Sequence, residues 1–435
     1  MKTKINFKLI LTGLILFIFI ADLQAQFNFQ DVTNQSVLSY GASSTWDDGA
    51  VWFPAVIKDG DTLRMWYTGL DDLVWAYTDW KIGYAWSLDG IEWYKFAENP
   101  VLSTDMVWEG NTMKLGAVIK DGNTYKIWYQ AIEVGYAESL DGINWTKNPE
   151  PVLYPGPSGD WDDDFICPWT VIKQDNEYKM FYYAGRPGLP QLESLPQIGL
   201  ATSPDGISWS KYDNPATSEA PYKYSDPVYK LGETGTWDSH RVIDPMVLKK
   251  DTGYEMLYAG YFYPNSVDQK QQIGYATSDD GIVWVRHPNN PIITEPREWG
   301  YGIYGGSVLK YNENYHLWYA CFHTPPYEAR PQIGYAISDA LGIDDYQQIL
   351  HFQTYHNWPN PFTSSTTIEY ELKQPEKVSL SIYNHLGQLV YQTQELQPQG
   401  KQQLIWNAER FPDGIYYYRL QVGEQTANGK MVKVR

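Results

Sequence analysis

Asp244 stands directly before Pro245 at the entrance of an apolar strand, and His240 and Arg241 lie on the turn leading into it. A carboxyl group so placed can act as an acid or a base: Arg241 would hold it ionised by charge, while burial would raise its pKa. Cleaving a sugar linkage with two protein carboxylates requires a partner for it. The preceding turns could supply Asp48, Asp163 or Asp164, and the catalytic candidates are Asp244, Asp48 and Asp164. A second chemistry comes from tryptophan. Trp52 and Trp169 precede apolar strands, and Trp75 and Trp80 share one long loop with Asp71, Asp72, Tyr77 and Asp79. Flat aromatic faces match sugar C–H faces and carboxylates match sugar hydroxyls, so Trp52, Trp75, Trp80, Trp169, His240 and Arg241 are the candidate substrate-binding residues. Simple packing between loops is the competing role for these tryptophans.

These residues stand out because most of the chain repeats itself. A Trp followed by a small acidic turn recurs at Trp46, Trp108, Trp161, Trp237 and Trp299. About twenty residues later comes an apolar-aromatic strand: RMWYTG (64–69), KIWYQA (126–131), KMFYYAG (179–185), EMLYAG (255–260) and HLWYAC (316–321). A third landmark is IGYAWSLDGIEWYK at 82–95, repeated at 134–147, 198–211 and 273–286 and truncated to IGYAISDA at 333–340. Asp-Gly turns between apolar runs predict hairpins, hence four short antiparallel strands per copy. One such sheet cannot cover both of its faces, so the copies must stack. The expected fold is all-β, a five-bladed β-propeller with four-stranded blades followed by a small Ig-like β-sandwich. The fifth copy lacks its last strand, and residues 27–33 are expected to supply it and close the array. The long connections 69–81, 185–197, 212–236, 260–272 and 321–332 then mark the functional face.

The organisation along the chain agrees. Lys2, Lys4 and Lys8 precede an apolar run from Leu9 to Ile20, the pattern of a signal peptide cut after residue 25. That run is too short to span a bilayer, and no later stretch reaches the roughly 20 residues required. The formal charge of −19 is unevenly spread. Residues 356–435 carry eight Lys/Arg against seven Asp/Glu and the first 25 carry three against one, which leaves −19 − 1 − 2 = −22 on residues 26–355. So acidic a surface disfavours nucleic acid and anionic membranes as partners. Cys167 and Cys321 could pair in an exported chain or remain free and buried. No cofactor is implied, no contiguous ligand spacing supports a metal, and a monomer is expected.

From His356 the repeat gives way to NWPNPF (357–362), TTIEYEL (366–372), VSLSIYNHLGQLV (378–390), QQLIWN (402–407), PDGIYYYRLQ (412–421) and KMVKVR (430–435). In order and spacing these segments resemble the type A C-terminal sorting domain of the bacterial type IX secretion system. That resemblance implies recognition by the type IX machinery and delivery outside the cell or to its surface. The expected divisions are 1–25 signal peptide, 26–345 propeller, 346–355 linker and 356–435 sorting domain.

Residues 27–345, with apolar central strands entered through Pro-containing turns, resemble the arabinanase, levansucrase and invertase superfamily of five-bladed glycoside hydrolases. That resemblance implies carboxylates at the central strands of blades one, three and four. The matching positions here hold Phe53, Cys167 and Asp244, with Leu115 and Gly305 in the other two blades, so only Asp244 keeps a carboxylate. Action on a poly- or oligosaccharide is the leading expectation, and a non-catalytic glycan- or protein-binding propeller is the alternative. A sialidase-like function is a second alternative, because SxDGxxW resembles the sialidase Asp-box, although it is one residue shorter.

Overall fold

The computed structural model describes residues 29–71, 79–186, 195–262, 270–294, 301–312, 314–322, 330–338, 357–372, 375–423 and 425–435. The signal segment 1–25 and the linker 346–355 lie outside them. Two compact units are formed: Met1–Val56 with Tyr67–Ile82 and Leu102–Leu341, and Ile57–Trp66 with Gly83–Val101 and Gly342–Arg435.

Among the described residues, the repeat region forms five antiparallel sheets. The first contains Ala50–Asp59, Thr62–Leu70, Lys81–Ser87 and Trp93–Lys95, and the second Lys114–Asp121, Thr124–Gln130, Val134–Ser139 and Thr146–Lys147. The third contains Phe165–Gln174, Glu177–Gly185, Gln197–Ser203 and Ser210–Lys211, with Pro227–Tyr229 added beside its third strand. The fourth contains Arg241–Lys249, Tyr254–Phe262, Lys270–Ser278 and Trp284–Arg286. The fifth takes Tyr301–Tyr311, Asn314–Phe322 and Pro331–Ser338, and its outer strand is Phe29–Asp31 from the other end of the chain, as the truncated fifth repeat predicts.

Repeated residues do repeated local work. In each SxDG turn the serine hydroxyl and the aspartate carboxylate accept backbone N–H groups: Asp141 Oδ1 takes those of Ile143 and Asn144, and Asp205 Oδ1 those of Ile207 and Ser208. These hydrogen bonds lower both carboxyl pKa values to about 2. Gly142 and Gly206 follow with φ of 80° and 83°, which a side chain would strain. The Asp-box-like motif is therefore a turn device. Trp46, Trp108, Trp161 and Trp237 each lie over the tyrosine of the second strand, as in Trp108–Tyr129 with centroids 6.4 Å apart and Trp161–Tyr182 at 6.0 Å. The acid after it is buried and paired: Glu109 with Tyr129 and Lys147, Asp162 with Lys211, Asp238 with Tyr258 and Arg286. Removing one partner of such a buried pair costs about 3–5 kcal/mol, which explains why acid and base recur together.

Side-chain hydrogen bonds also link one sheet to the next. Thr68 Oγ1 accepts Leu115 N–H, Thr170 Oγ1 donates to the Pro245 carbonyl and accepts Val247 N–H, and Ser307 Oγ accepts Val56 N–H, linking the fifth sheet back to the first. Between them the sheets bury apolar clusters, including one from the third, fourth and fifth sheets around Trp169, Met246, Leu257, Ile303 and Leu317.

In the second unit, Ser365–Leu372 pairs with Gly400–Asn407, while Leu389–Gln397, Glu376–Asn384, Gly414–Val422 and Gln425–Lys433 form a four-stranded sheet. Ile368, Tyr370 and Trp406 share one core with Leu380, Ile382, Tyr418 and Leu420. Parts of the first sheet belong to this unit, because Trp86 donates Nε1–H to the His385 carbonyl and meets the Tyr417 ring edge-on at 4.6 Å.

Candidate functional site

The first strands of four sheets carry a β-bulge at the same level: Leu115/Ala117, Pro168/Thr170, Ile243/Met246 and Tyr304/Gly306. A bulge turns the residue it frees out of the ladder and re-aims its side chain. Phe53 and Asp244, each directly before a proline, have φ of 45° and 55°, a conformation that non-glycine residues adopt rarely and at some cost.

Asp244 is 1% exposed. Its Oδ2 accepts Gly305 N–H at 2.9 Å and lies 3.5 Å from Gln271 Nε2. A Cβ on residue 305 would sit 2.1 Å from the Asp244 Cβ, so only glycine lets the carboxyl reach that N–H. Burial drives the Asp244 pKa up to about 7, and the hydrogen bonds from Gly305 and Gln271 and the charge of Lys114 oppose the rise. Lys114 enters from the second sheet with Nζ 5.0 Å from the Trp80 ring centroid. Burial lowers its pKa, while negative charge on Cys167 or Asp244 would raise it. Cys167, from the third sheet, is pushed up to about 12 by burial and is a neutral thiol near neutral pH. The phenol of partly buried Tyr183 is likewise held well above its ordinary range by desolvation.

An aromatic group lies on the first and fifth sheets. Trp52 stacks on Phe53 with centroids 5.0 Å apart and meets Tyr304 and Phe322 edge-on; Phe53 in turn meets Trp169 edge-on at 5.6 Å. Trp52, Trp80 and Trp169 are 4, 4 and 7% exposed, whereas Phe53 and Tyr304 are only partly buried. Trp169 donates Nε1–H to the Gly306 carbonyl.

The other candidates are placed as follows. Asp48 accepts Ser44 N–H within its own turn, and its carbonyl accepts from Arg330. Asp164 is exposed, and its N–H donates to the Gly185 carbonyl. His240 lies beside Phe262 and Ser239, and Arg241 lies 5.8 Å from the Tyr261 ring centroid. Trp75 lies outside the described residues. Both cysteines are free and buried. Arg64 pairs with Asp59 and Arg286 with Asp238.

Lys114, Gln271 and Tyr261 were not identified by sequence reasoning, and Gly305 was noted only as a central-strand position without a carboxylate. Lys114 carried a signal: it occupies the position held by Trp52, Ile166, Ile243 and Tyr304 in the other repeats, so it is a lone cation in an apolar register.

Residues 356–434 match the secretion system C-terminal sorting domain. An uncharacterised protein of Mycobacterium tuberculosis (strain CDC 1551 / Oshkosh) is 26% identical over 260 residues, covering 56% of this chain and 78% of that protein. The β-1,2-mannobiose phosphorylase of a Thermoanaerobacter species is 27% identical over 158 residues, 34% of this chain and 46% of the phosphorylase. A solved glycosyl hydrolase of Bacteroides ovatus superposes with a TM-score of 0.56 at 16% identity, covering 72% of this chain and 94% of the hydrolase. Glycoside hydrolases of families 43 and 130 are also among the similar structures. The chain thus has the fold of the propeller glycoside hydrolases and a C-terminal sorting domain.

Proposed function

We propose that this chain is an exported carbohydrate-active protein, a five-bladed propeller carried outward by a type IX sorting domain, in which Asp244 is the proton donor to a glycosidic oxygen. The supporting observation is a buried carboxyl with a pKa of about 7, held at a strained bulge with one oxygen fixed by Gly305. An acid works best when its pKa lies near the working pH, and such a group is half protonated at neutrality. Phe53 and Cys167 occupy the positions where the resemblance would set further carboxylates, so the nucleophile comes from solution, as water or phosphate. The similarity to a β-1,2-mannobiose phosphorylase makes β-mannosides with inorganic phosphate the first pairing to try.

The test incubates the protein with β-1,2-mannobiose and a panel of plant and bacterial oligosaccharides, with and without phosphate, and assays free sugar and sugar phosphate. Release that falls roughly 10²- to 10⁴-fold in Asp244→Asn is expected. Full turnover in that variant overturns the acid assignment. A second reading, glycan binding without cleavage, is favoured because Asp244 is the one carboxylate at the central-strand positions Phe53, Leu115, Cys167, Asp244 and Gly305, and binding with no release in any mixture would establish it.

A further inference from the structure

The protonation of Asp244 can be carried one step further, resting on its proposed role as an acid. The two carboxyl oxygens are treated unequally. Oδ2 faces two donors, Gly305 N–H and Gln271 Nε2, whereas Oδ1 has no hydrogen-bond partner among the described residues. An oxygen already facing two N–H groups has no acceptor to which a proton of its own could be given. Gln271 is as buried as Asp244, and its Oε1 accepts the Tyr261 hydroxyl, itself on a buried side chain. A side-chain amide has one accepting and one donating end, so a hydroxyl donor fixed on Oε1 turns the NH₂ group towards the carboxyl.

We infer that Tyr261 and Gln271 are positioning residues: together they fix Oδ2 as the accepting oxygen of Asp244 and leave Oδ1 as the oxygen that carries the proton and gives it to a bound sugar. When that proton leaves, the glycosidic oxygen takes it together with the C–O bonding pair, and the carboxylate remaining on Asp244 is the form that Gly305 and Gln271 stabilise. Among the described residues, the titratable groups coupled to this carboxyl are Lys114 from the second sheet and Cys167 and Tyr183 from the third, with Arg241 of its own strand acting on Tyr183. The thiol and the phenol stay neutral near pH 7 because burial raises both, while charge on Lys114 favours the ionised form of Asp244.

The experiment uses the full chain labelled with [γ-¹³C]aspartate, the Asp244 carboxyl resonance being identified by its loss in Asp244→Asn. Gln271→Leu removes a donor that favours the charged form, so the Asp244 titration midpoint should rise by about one pH unit. Tyr261→Phe deletes only the hydroxyl that orients the amide and should move the midpoint the same way by less. An unmoved midpoint in Tyr261→Phe overturns the inference, even if Gln271→Leu fails to fold. Where turnover is measurable, the alkaline limb of kcat/KM should follow the midpoint upward. Midpoints that shift in a protein that cleaves no glycan would reject the proposed function and keep the positioning pair. Turnover with unmoved midpoints would do the reverse.

Discussion

Tyr319 donates its hydroxyl hydrogen to Asp31 Oδ1 at 2.5 Å, across 288 residues of chain. Tyr67, Tyr129 and Tyr258 make the corresponding bond to Asp47, Glu109 and Asp238, each directly after its landmark tryptophan. In the fifth copy Trp299 is followed by Gly300, so no carboxylate is available there. Asp31 supplies it from a different place. It pairs opposite Ala336 in the register where Lys147, Lys211 and Arg286 face Ala137, Ala201 and Ala276. The closing strand has exchanged the base of the clasp for its acid.

If that bond helps fasten the N-terminal strand, Asp31→Ala should destabilise the chain by about 1–3 kcal/mol and lower Tm by several degrees. Deleting residues 26–40 should do more and expose a sheet edge. Calorimetry and gel filtration measure both, and an unchanged Tm with monomeric elution would reject closure by this strand.

The raised pKa of Asp244 makes a signed prediction about stability. The folded carboxyl binds protons up to about pH 7, whereas the unfolded one releases them near 3.8. Between those values the native state holds more protons, so this group makes stability fall as pH rises. The loss amounts to roughly 4 kcal/mol above pH 7. Asp244→Asn should therefore gain stability relative to the wild type at pH 8 and lose that gain by pH 4 in denaturant titrations. A pH-independent difference would mean that the carboxyl is not held neutral.

His316 should act in the opposite sense. Its Nε2 faces the Tyr311 carbonyl, its Nδ1 meets the Tyr335 hydroxyl, and burial lowers its pKa to about 4. The unfolded imidazole takes up a proton near 6.5, so the native state loses roughly 3 kcal/mol as pH falls from 6.5 to 4. His316→Gln should flatten that part of the pH–stability curve whatever its absolute effect. Equal slopes for variant and wild type would contradict a neutral buried ring.

Gly305→Ala puts a methyl group on the Asp244 side chain, so carboxyl or strand must shift. Overpacking of this kind costs typically 1–3 kcal/mol. The Asp244 titration midpoint should rise as well, because the Gly305 N–H stabilises the charged form. Denaturant titration and the labelled carboxyl resonance report the two effects separately, and a midpoint left at its wild-type value would show that this N–H does not hold the carboxyl.

Sheets and turns could be read from the sequence because these repeated residues act within their own copy: SxDG serves its own turn, and Trp46, Trp108, Trp161 and Trp237 each serve their own tyrosine. Asp31 could be placed because Phe29–Asp31 fills a gap in a counted pattern. The site was harder to read. Asp244 stood out as an unrepeated carboxylate, but Lys114, Cys167, Gln271 and Gly305 reach it from four different sheets, and no linear spacing records that convergence. Surplus tryptophans carry the same ambiguity. Trp86 is as unrepeated as Trp52, yet it is buried against Tyr94 and Tyr417 in the second unit. Absence from the repeat marks individuality, which packing uses as readily as ligand binding.

Phe53 and Asp244 share a left-handed φ before proline, although one bears a ring and the other a carboxyl. The main-chain geometry that presents a group at this level is therefore independent of the group presented. A lineage carrying this scaffold could pass between one and two acidic groups by exchanging the side chain at residue 53, leaving the backbone already bent to receive it. Chemistry here would be gained or lost far more readily than the architecture that displays it.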